Sequence, residues 1–289
     1  MKEEQEIFKK SSATYYISSK FFEESVREDV FRLYSFVRVA DDYVDGGPAH
    51  PKKLLKLEKR FRKATANKNY KTEIVDNDLI DTRVLKNIVY LLHKYDFDAV
   101  WVEDFFEAMK ADIEPKPFKR LSESLSYVYG SAEVIGLMMS KILGIDANVP
   151  VNKKQFQEYA RTQGKAMQWI NFVRDIDEDE KLGRCYFPQS DLKRFGLKDL
   201  RYKTASENED KFCRFVRYQI ARYRDWQDEA SKGFKHIPRR QLIPLKTAVD
   251  MYDWTANEID QDPMAVYSKK VKPSKTRVLA AVARNFVRV

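Results

Sequence analysis

Residues 164–188 read GKAMQWINFVRDIDEDEKLGRCYFP, and within them Gly164, Gln168, Asn171, Asp175 and Asp179 recur at intervals of 4, 3, 4 and 4. Side chains three and four apart share one face of an α-helix, so these five fall on a single stripe. Met167, Ile170 and Val173 run beside the stripe and form the surface expected to pack inward. The stripe carries two amides and two carboxylates where a core-facing seam would be apolar. A polar stripe walled by apolar residues either meets ligands in a buried site or lies open as an ordinary acidic face. In the first case Asn171, Asp175 and Asp179 offer oxygens to a metal from successive turns. An EF-hand loop fits poorly, because DIDEDE has no glycine at its sixth position.

A second acidic group stands 130 residues upstream, counted from Asp45 to Asp175. Residues 25–44 (SVREDVFRLYSFVRVADDYV) set Val26, Val30, Leu33, Val37 and Ala40 on one helical stripe with charges opposite. Asp41 and Asp45 project from one face at its end, Asp42 flanks them, and Gly46-Gly47-Pro48 then stops the helix. Like charges at this spacing, next to the negative end of a helix dipole, repel by a few tenths to about 1 kcal/mol each. A hard cation relieves that repulsion, and oxygen-only ligands favour Mg²⁺, with Mn²⁺ as substitute, over Zn²⁺. Arg38, three residues before Asp41, can pair with the acids or hold a phosphate. A solvated acidic helix end would carry the same residues, so this group alone does not decide.

The helical period extends along the chain, with further segments expected at 52–66, 80–94, 98–110, 121–143, 153–180, 208–231, 241–258 and 273–286. Only 9 Gly and 10 Pro occur in 289 residues. A many-stranded sheet would need turns about every 8–12 residues, so the composition favours long helices. No strand pattern, fixed repeat or low-complexity linker appears, and one all-α domain over 1–289 is the simplest organisation.

The formal charge of +9 arises from 53 basic and 44 acidic residues spread throughout, which selects no partner by itself. Nucleic-acid binding would need clustered cations with exposed aromatics, whereas here the acids are the concentrated charges. Cys185 and Cys213 give neither a disulfide framework nor metal-ligand spacing. MKEEQEIFKK lacks the order of a signal peptide, and no stretch approaches the roughly 18 apolar residues of a membrane span, so a cytoplasmic protein is expected.

Two acidic helices with a cavity between them suit Mg²⁺ bridging to diphosphate. The motifs Arg38-Val39-Ala40-Asp41-Asp42-Tyr43-Val44-Asp45, Tyr127-Val128-Tyr129-Gly130-Ser131-Ala132-Glu133-Val134-Ile135-Gly136, Gln168 to Asp179 (QWINFVRDIDED) and Gly183-Arg184-Cys185-Tyr186-Phe187-Pro188 stand in order. Together they resemble the squalene/phytoene synthases, head-to-head condensing enzymes with an all-α isoprenoid-synthase bundle around a central cavity. The resemblance covers nearly the whole chain. It implies that Asp41, Asp45, Asn171, Asp175 and Asp179, supported by Asp42, hold Mg²⁺ and two diphosphates. It makes Arg38 and Arg174 diphosphate contacts and places Tyr129 and Gln168 on the cavity wall. Tyr252 matches a tyrosine near the reacting diphosphate, Lys269, Lys270 and Lys272 a basic segment, and Ser12 to Tyr16, with Thr14 and Tyr15, a segment bordering the site. Glu133 departs from the small residue many members carry, and can reach the cavity or turn outward to a nearby Lys or Arg. Gly136 and Gly164 fit either thin walls beside a long substrate or close helix packing.

The implied reaction joins two prenyl diphosphates, with metal-assisted loss of diphosphate and a cyclopropyl diphosphate between two ionisations. No glycine-rich nicotinamide fingerprint follows a strand, so no NADPH is expected and a phytoene-type product is favoured over squalene. Geranylgeranyl diphosphate is the expected substrate; farnesyl diphosphate, giving a dehydrosqualene-type product, is the alternative. A non-catalytic binding or assembly factor of the same family is a further alternative, though it would be expected to have lost acids or amides that are complete here. Phe21, Phe22, Phe36, Met138, Met139, Trp169 and Phe172 are candidates for the cavity wall or the core. An insoluble product is compatible with peripheral membrane association, and the oligomeric state is not legible.

Overall fold

The computed structural model describes residues 2–11, 13–45, 50–66, 79–144 and 152–289, with the backbone alone for 2–3, 10–11, 13–15 and 79. All regular structure among them is helical. Helices α1 (Lys2–Ser11) and α2 (Ala13–Ser19) precede the long α3 (Glu24–Asp45). Then come α4 (Pro51–Ala66), α5 (Leu79–Tyr95) and α6 (Ala99–Ala111). An interrupted helix is next: α7 (Leu121–Val128), a π-turn over Tyr129–Glu133, and α8 (Val134–Ile142). Helix α9 (Lys153–Arg174) leads to the short α10 (Ile176–Lys181), α11 (Gln189–Arg194) and α12 (Tyr202–Glu207). Last are α13 (Glu209–Ser231), α14 (Arg239–Gln261), α15 (Ala265–Ser268) and α16 (Lys275–Arg288).

Several starts have local causes. The side chains of Asp98, Asn152 and Ser274 accept from the backbone N–H of Val100, Lys154 and Arg277 and cap α6, α9 and α16. The expected Gly46–Pro48 stop lies outside the described residues. Two expected helices are divided. The segment 121–143 takes in one extra residue as the π-turn, a feature that apolar periodicity does not reveal. The segment 153–180 slips at Asp175, whose φ of −101° and ψ of 16° leave the helix. Its N–H still bonds the Asn171 carbonyl at 2.8 Å, and its own carbonyl accepts from Asp179 at 2.8 Å, so the two acids stay one turn apart.

Helix α9 runs through the middle, packed on α13, α8 with its π-turn, and α14. Trp169 is fully buried there, edge-on to Phe187 at 5.5 Å and Trp226 at 5.2 Å. Close approach of α8 and α9 requires Gly136 and Gly164. A Cβ on Gly136 would sit 2.3 Å from the Ala160 carbonyl oxygen, and one on Gly164 would sit 2.4 Å from that of Ala132. No helix among the described residues is long and apolar enough to cross a membrane, and both cysteines are free thiols.

Candidate active site

A cavity of about 850 Å³ lies between α3, the π-turn and α8, α9, α14 and the segment after α15. Helix α9 runs along its length, from Phe156 near one end to Asp175 at the other. At 1.5 Å per residue that is roughly 28 Å. The Asp175 end is polar, with Asp41 and Asp45 of α3 opposite Asn171, Asp175 and Asp179. Arg38, Arg174, Lys270 and Lys272 join them in the lining. The Phe156 end is apolar, closed by Phe22, Leu143, Phe234, Ile237 and Leu245. The stripe read from the sequence is thus the cavity-facing one.

The clusters act on each other electrically. Burial, the neighbouring charge of Asp45 and that of Asp42 push the Asp41 carboxyl up to about 7, against the pull of Arg38. Arg38 donates to Asp41 Oδ2 at 2.9 Å and pairs with Asp42. With 32% of the Asp41 side chain exposed, solvent screening softens that push. Burial, then Asp175 and Asp45, raise Asp179 to about 8. Asp175 moves the other way: burial opposes ionisation, but the Arg174 hydrogen bond and charge, with Lys270, outweigh it and hold its carboxyl low. Arg174 Nε donates to Asp175 Oδ1 at 2.9 Å, and Lys270 lies 3.4 Å from that oxygen. Lys272 is lowered by burial and by the charges of Lys270 and Arg174.

Asn171 Oδ1 is buried without a hydrogen-bond partner, and its amide nitrogen only grazes Gln168 Oε1 at 3.5 Å. A buried acceptor left unpaired costs about 1–3 kcal/mol, which a cation or donor at this spot removes. Among the described residues no group of three or more His, Cys, Asp or Glu could hold a metal ion by itself. The unpaired Asn171 oxygen and the carboxylates around the cavity form an oxygen-only donor set, which fits a hard cation such as Mg²⁺.

Of the remaining expected residues, Gln168 and Tyr252 line the cavity. The side chains of Thr14 and Tyr15 lie outside the described residues. Asp42 is exposed outside the lining and is held by Arg38. Tyr129 requires correction: its ring lies under Arg161, 5.2 Å from the guanidinium, and feels Asp104 of α6, while Ser131 of the same π-turn faces the cavity. Glu133 turns from the cavity to Arg161 Nε at 2.9 Å, with Lys165 at 3.9 Å. Phe22, Met139 and Phe172 line the wall, whereas Phe36, Met138 and Trp169 belong to the core and Phe21 packs on Phe286.

Four further residues emerge only in three dimensions. Arg184 bonds the Asp45 carboxylate, and its Nη2 donates to the carbonyls of Val44 at 2.9 Å and Asp112 at 3.1 Å. Asp112 accepts from the hydroxyls of Tyr127 at 2.6 Å and Tyr186 at 2.9 Å. All four line the cavity. The GRCYFP and YVYG segments were the available signal, but nothing in their spacing points to Asp112.

A bundle of helices around a cavity with acids at one end and apolar walls at the other is the architecture of isoprenoid synthases. The sequence model of the squalene/phytoene synthases matches residues 8–277, and the chain belongs to that family. Its relatives include a chloroplastic phytoene synthase from an Oncidium hybrid cultivar, 27% identical over 96% of this chain and 65% of that protein. Phytoene synthase 1 of Arabidopsis thaliana is 26% identical over 96% of this chain and 64% of its own length. The chain thus spans slightly under two thirds of these curated relatives. In fold it is similar to a dehydrosqualene synthase crystallised with a ligand, with a TM-score of 0.81 at 21% identity, covering 99% of this chain and 95% of that one. A squalene synthase from Alicyclobacillus acidocaldarius superposes with a TM-score of 0.70 at 21% identity, over 94% of this chain and 95% of that one.

Proposed function

We propose that this protein joins two geranylgeranyl diphosphates head to head, with Mg²⁺, to form phytoene. Residues 1–289 act as one unit, because the site draws on both halves of the chain. The observation that carries the reading is the meeting of Asp41 and Asp45 with Asn171, Asp175 and Asp179 at the polar end of a long apolar cavity. Phytoene synthases among the relatives support the substrate class.

Asp41, Asp45, Asn171, Asp175 and Asp179 would hold Mg²⁺, which supplies charge neutralisation of the leaving diphosphate. Arg38, Arg174, Lys270 and Lys272 bind the diphosphate oxygens, the arginines through their forked donors. Arg184 orients Asp45 toward the opposite helix. In the first half-reaction the C1–O bond of one substrate breaks, the double bond of the other attacks C1, and a proton leaves to close a cyclopropyl diphosphate. Loss of the second diphosphate, rearrangement and loss of a second proton give the conjugated triene. Phe172, Met139 and Phe22 keep water from the cations, and the wall positions the two chains.

The test supplies labelled geranylgeranyl or farnesyl diphosphate separately, with Mg²⁺ and without NADPH, and extracts hydrocarbon. A forty-carbon polyene with a central conjugated triene is expected from the first substrate. A thirty-carbon product from the second alone moves the assignment to a dehydrosqualene-type synthase. Folded protein that releases diphosphate from neither overturns the enzyme reading in favour of a binding factor.

A further inference from the structure

Helix α16 (KTRVLAAVARNFVR) buries Val278, Ala281, Val282 and Asn285 as it packs on α14 and α2. Its apolar character does not end there. Leu279, Phe286 and Val287 are 52%, 48% and 86% exposed, with Ala280 and Ala283 exposed beside them. At 3.6 residues per turn these five share the outward arc of the helix. Lys275 borders one side of the arc, while Arg277, Arg284 and Arg288 border the other, and the helix has no acidic residue. Arg277 is held over the Trp254 ring at 4.6 Å and Arg284 by Asp250 at 2.8 Å, which fixes both beside the arc. A solvent-facing helix surface would be polar along its centre; this one has a single polar residue there, Thr276 in the first turn with its hydroxyl paired to Ser274, and is otherwise apolar in its centre and cationic at its margins.

The arc also has a definite place relative to the cavity. The Phe286 ring meets Phe21 edge-on at 6.0 Å, and its carbonyl accepts from Arg239. Phe22, next to Phe21, and Ile237, two residues before Arg239, line the apolar end of the cavity. The exposed arc therefore adjoins the end farthest from the acids.

We propose that the outward face of α16 docks on an anionic lipid bilayer, with Leu279, Phe286 and Val287 entering the interface and the flanking cations meeting the headgroups. The apolar end of the cavity then abuts the membrane. This orientation lets a hydrocarbon leave without crossing water while diphosphates enter at the other end, and that consequence rests on the proposed condensation. A second copy of this chain suits the arc poorly, since a symmetric pairing would set four cations against four.

The experiment is co-sedimentation of the full chain with vesicles of phosphatidylcholine alone or mixed with phosphatidylglycerol. Wild type is compared with Leu279→Ser/Val287→Ser and Lys275→Gln/Arg288→Gln, each checked by circular dichroism. Wild type is expected on the anionic vesicles, with partitioning weaker by about tenfold on phosphatidylcholine and about tenfold weaker for either variant. Activity of the variants in detergent micelles is expected to equal that of wild type. Failure of wild type to bind, or equal binding by both variants, overturns the proposal. So does a dimer in sedimentation velocity that dissociates in the Leu279→Ser/Val287→Ser variant, which would assign the face to a second copy. Vesicle binding is read without turnover, so membrane docking by a protein that makes no hydrocarbon would overturn only the phytoene reading.

Discussion

Arg184, 139 residues from Asp45 in the sequence, bonds that carboxylate and so joins the connection after α10 to the end of α3. The same guanidinium reaches the Val44 and Asp112 carbonyls, and only 5% of the arginine side chain is exposed. It is the covalently remote strut that holds the first acidic group in register with the second.

Replacing Arg184 by alanine leaves two buried carbonyls and a carboxylate without their donor. A loss of about 2–4 kcal/mol is expected in urea unfolding. Diphosphate release should fall about 100-fold through misplacement of Asp45. Lysine should restore little, because an ammonium cannot span acceptors on separate elements as the planar fork does. Full activity in the lysine variant would show that charge alone suffices.

Gly164→Ala gains helix propensity of about 1 kcal/mol. It also sets a Cβ 2.4 Å from a backbone oxygen of the facing helix, where no side chain can yield. Overpacking of this kind costs about 1–3 kcal/mol, so the clash should win and the urea midpoint should fall. Gly136→Ala should behave alike, by the reciprocal contact at 2.3 Å. Unchanged midpoints would mean that the helices separate freely.

Burial raises Asp41 to about 7 and Asp179 to about 8 from the ordinary 3.8. Between about pH 4 and 8 the folded chain therefore keeps protons that the unfolded chain has lost. The stability these carboxyls contribute is complete below the unfolded value and is lost as pH rises through 7 and 8. In chelator, thermal midpoints should decline from pH 5 to 8, by roughly 5 °C. Asp179→Asn should flatten the slope, and Mg²⁺ with inorganic diphosphate should restore most of the loss at pH 8. An identical slope in the variant would remove Asp179 as its source.

Tyr129 packs beneath Arg161 outside the cavity. Tyr129→Phe keeps the ring and should leave kcat and KM within about twofold. A large fall in kcat would return the hydroxyl to the reaction.

The long helices were legible because each carries several turns of one apolar stripe, as α3 and α9 do. The polar stripe of Gln168, Asn171, Asp175 and Asp179 was legible for the same reason, since deviation from an apolar seam is itself a signal. The helices of four to six residues, α10, α11, α12 and α15, are too short to show a period. The π-turn was hidden because one inserted residue leaves composition unchanged and only rotates the rest of the helix; it carried Tyr129 away from the cavity and Ser131 toward it. Asp112 is a lone acid in sequence whose partners, Tyr127, Tyr186 and Arg184, lie up to 74 residues away, and only folding assembles them.

Ionisation of substrate by the two acidic groups acting as one site is the core of the proposed condensation. Its most direct measurement is the rate of diphosphate release from geranylgeranyl diphosphate with Mg²⁺, in wild type, Asp45→Ala, Asp175→Ala and the double variant, all checked for folding. Wild type should release diphosphate, each single variant should lose at least about 100-fold, and the double variant should be little worse than either, as groups acting together are non-additive. Independent, multiplying losses, or full release by either single variant, would contradict a shared site.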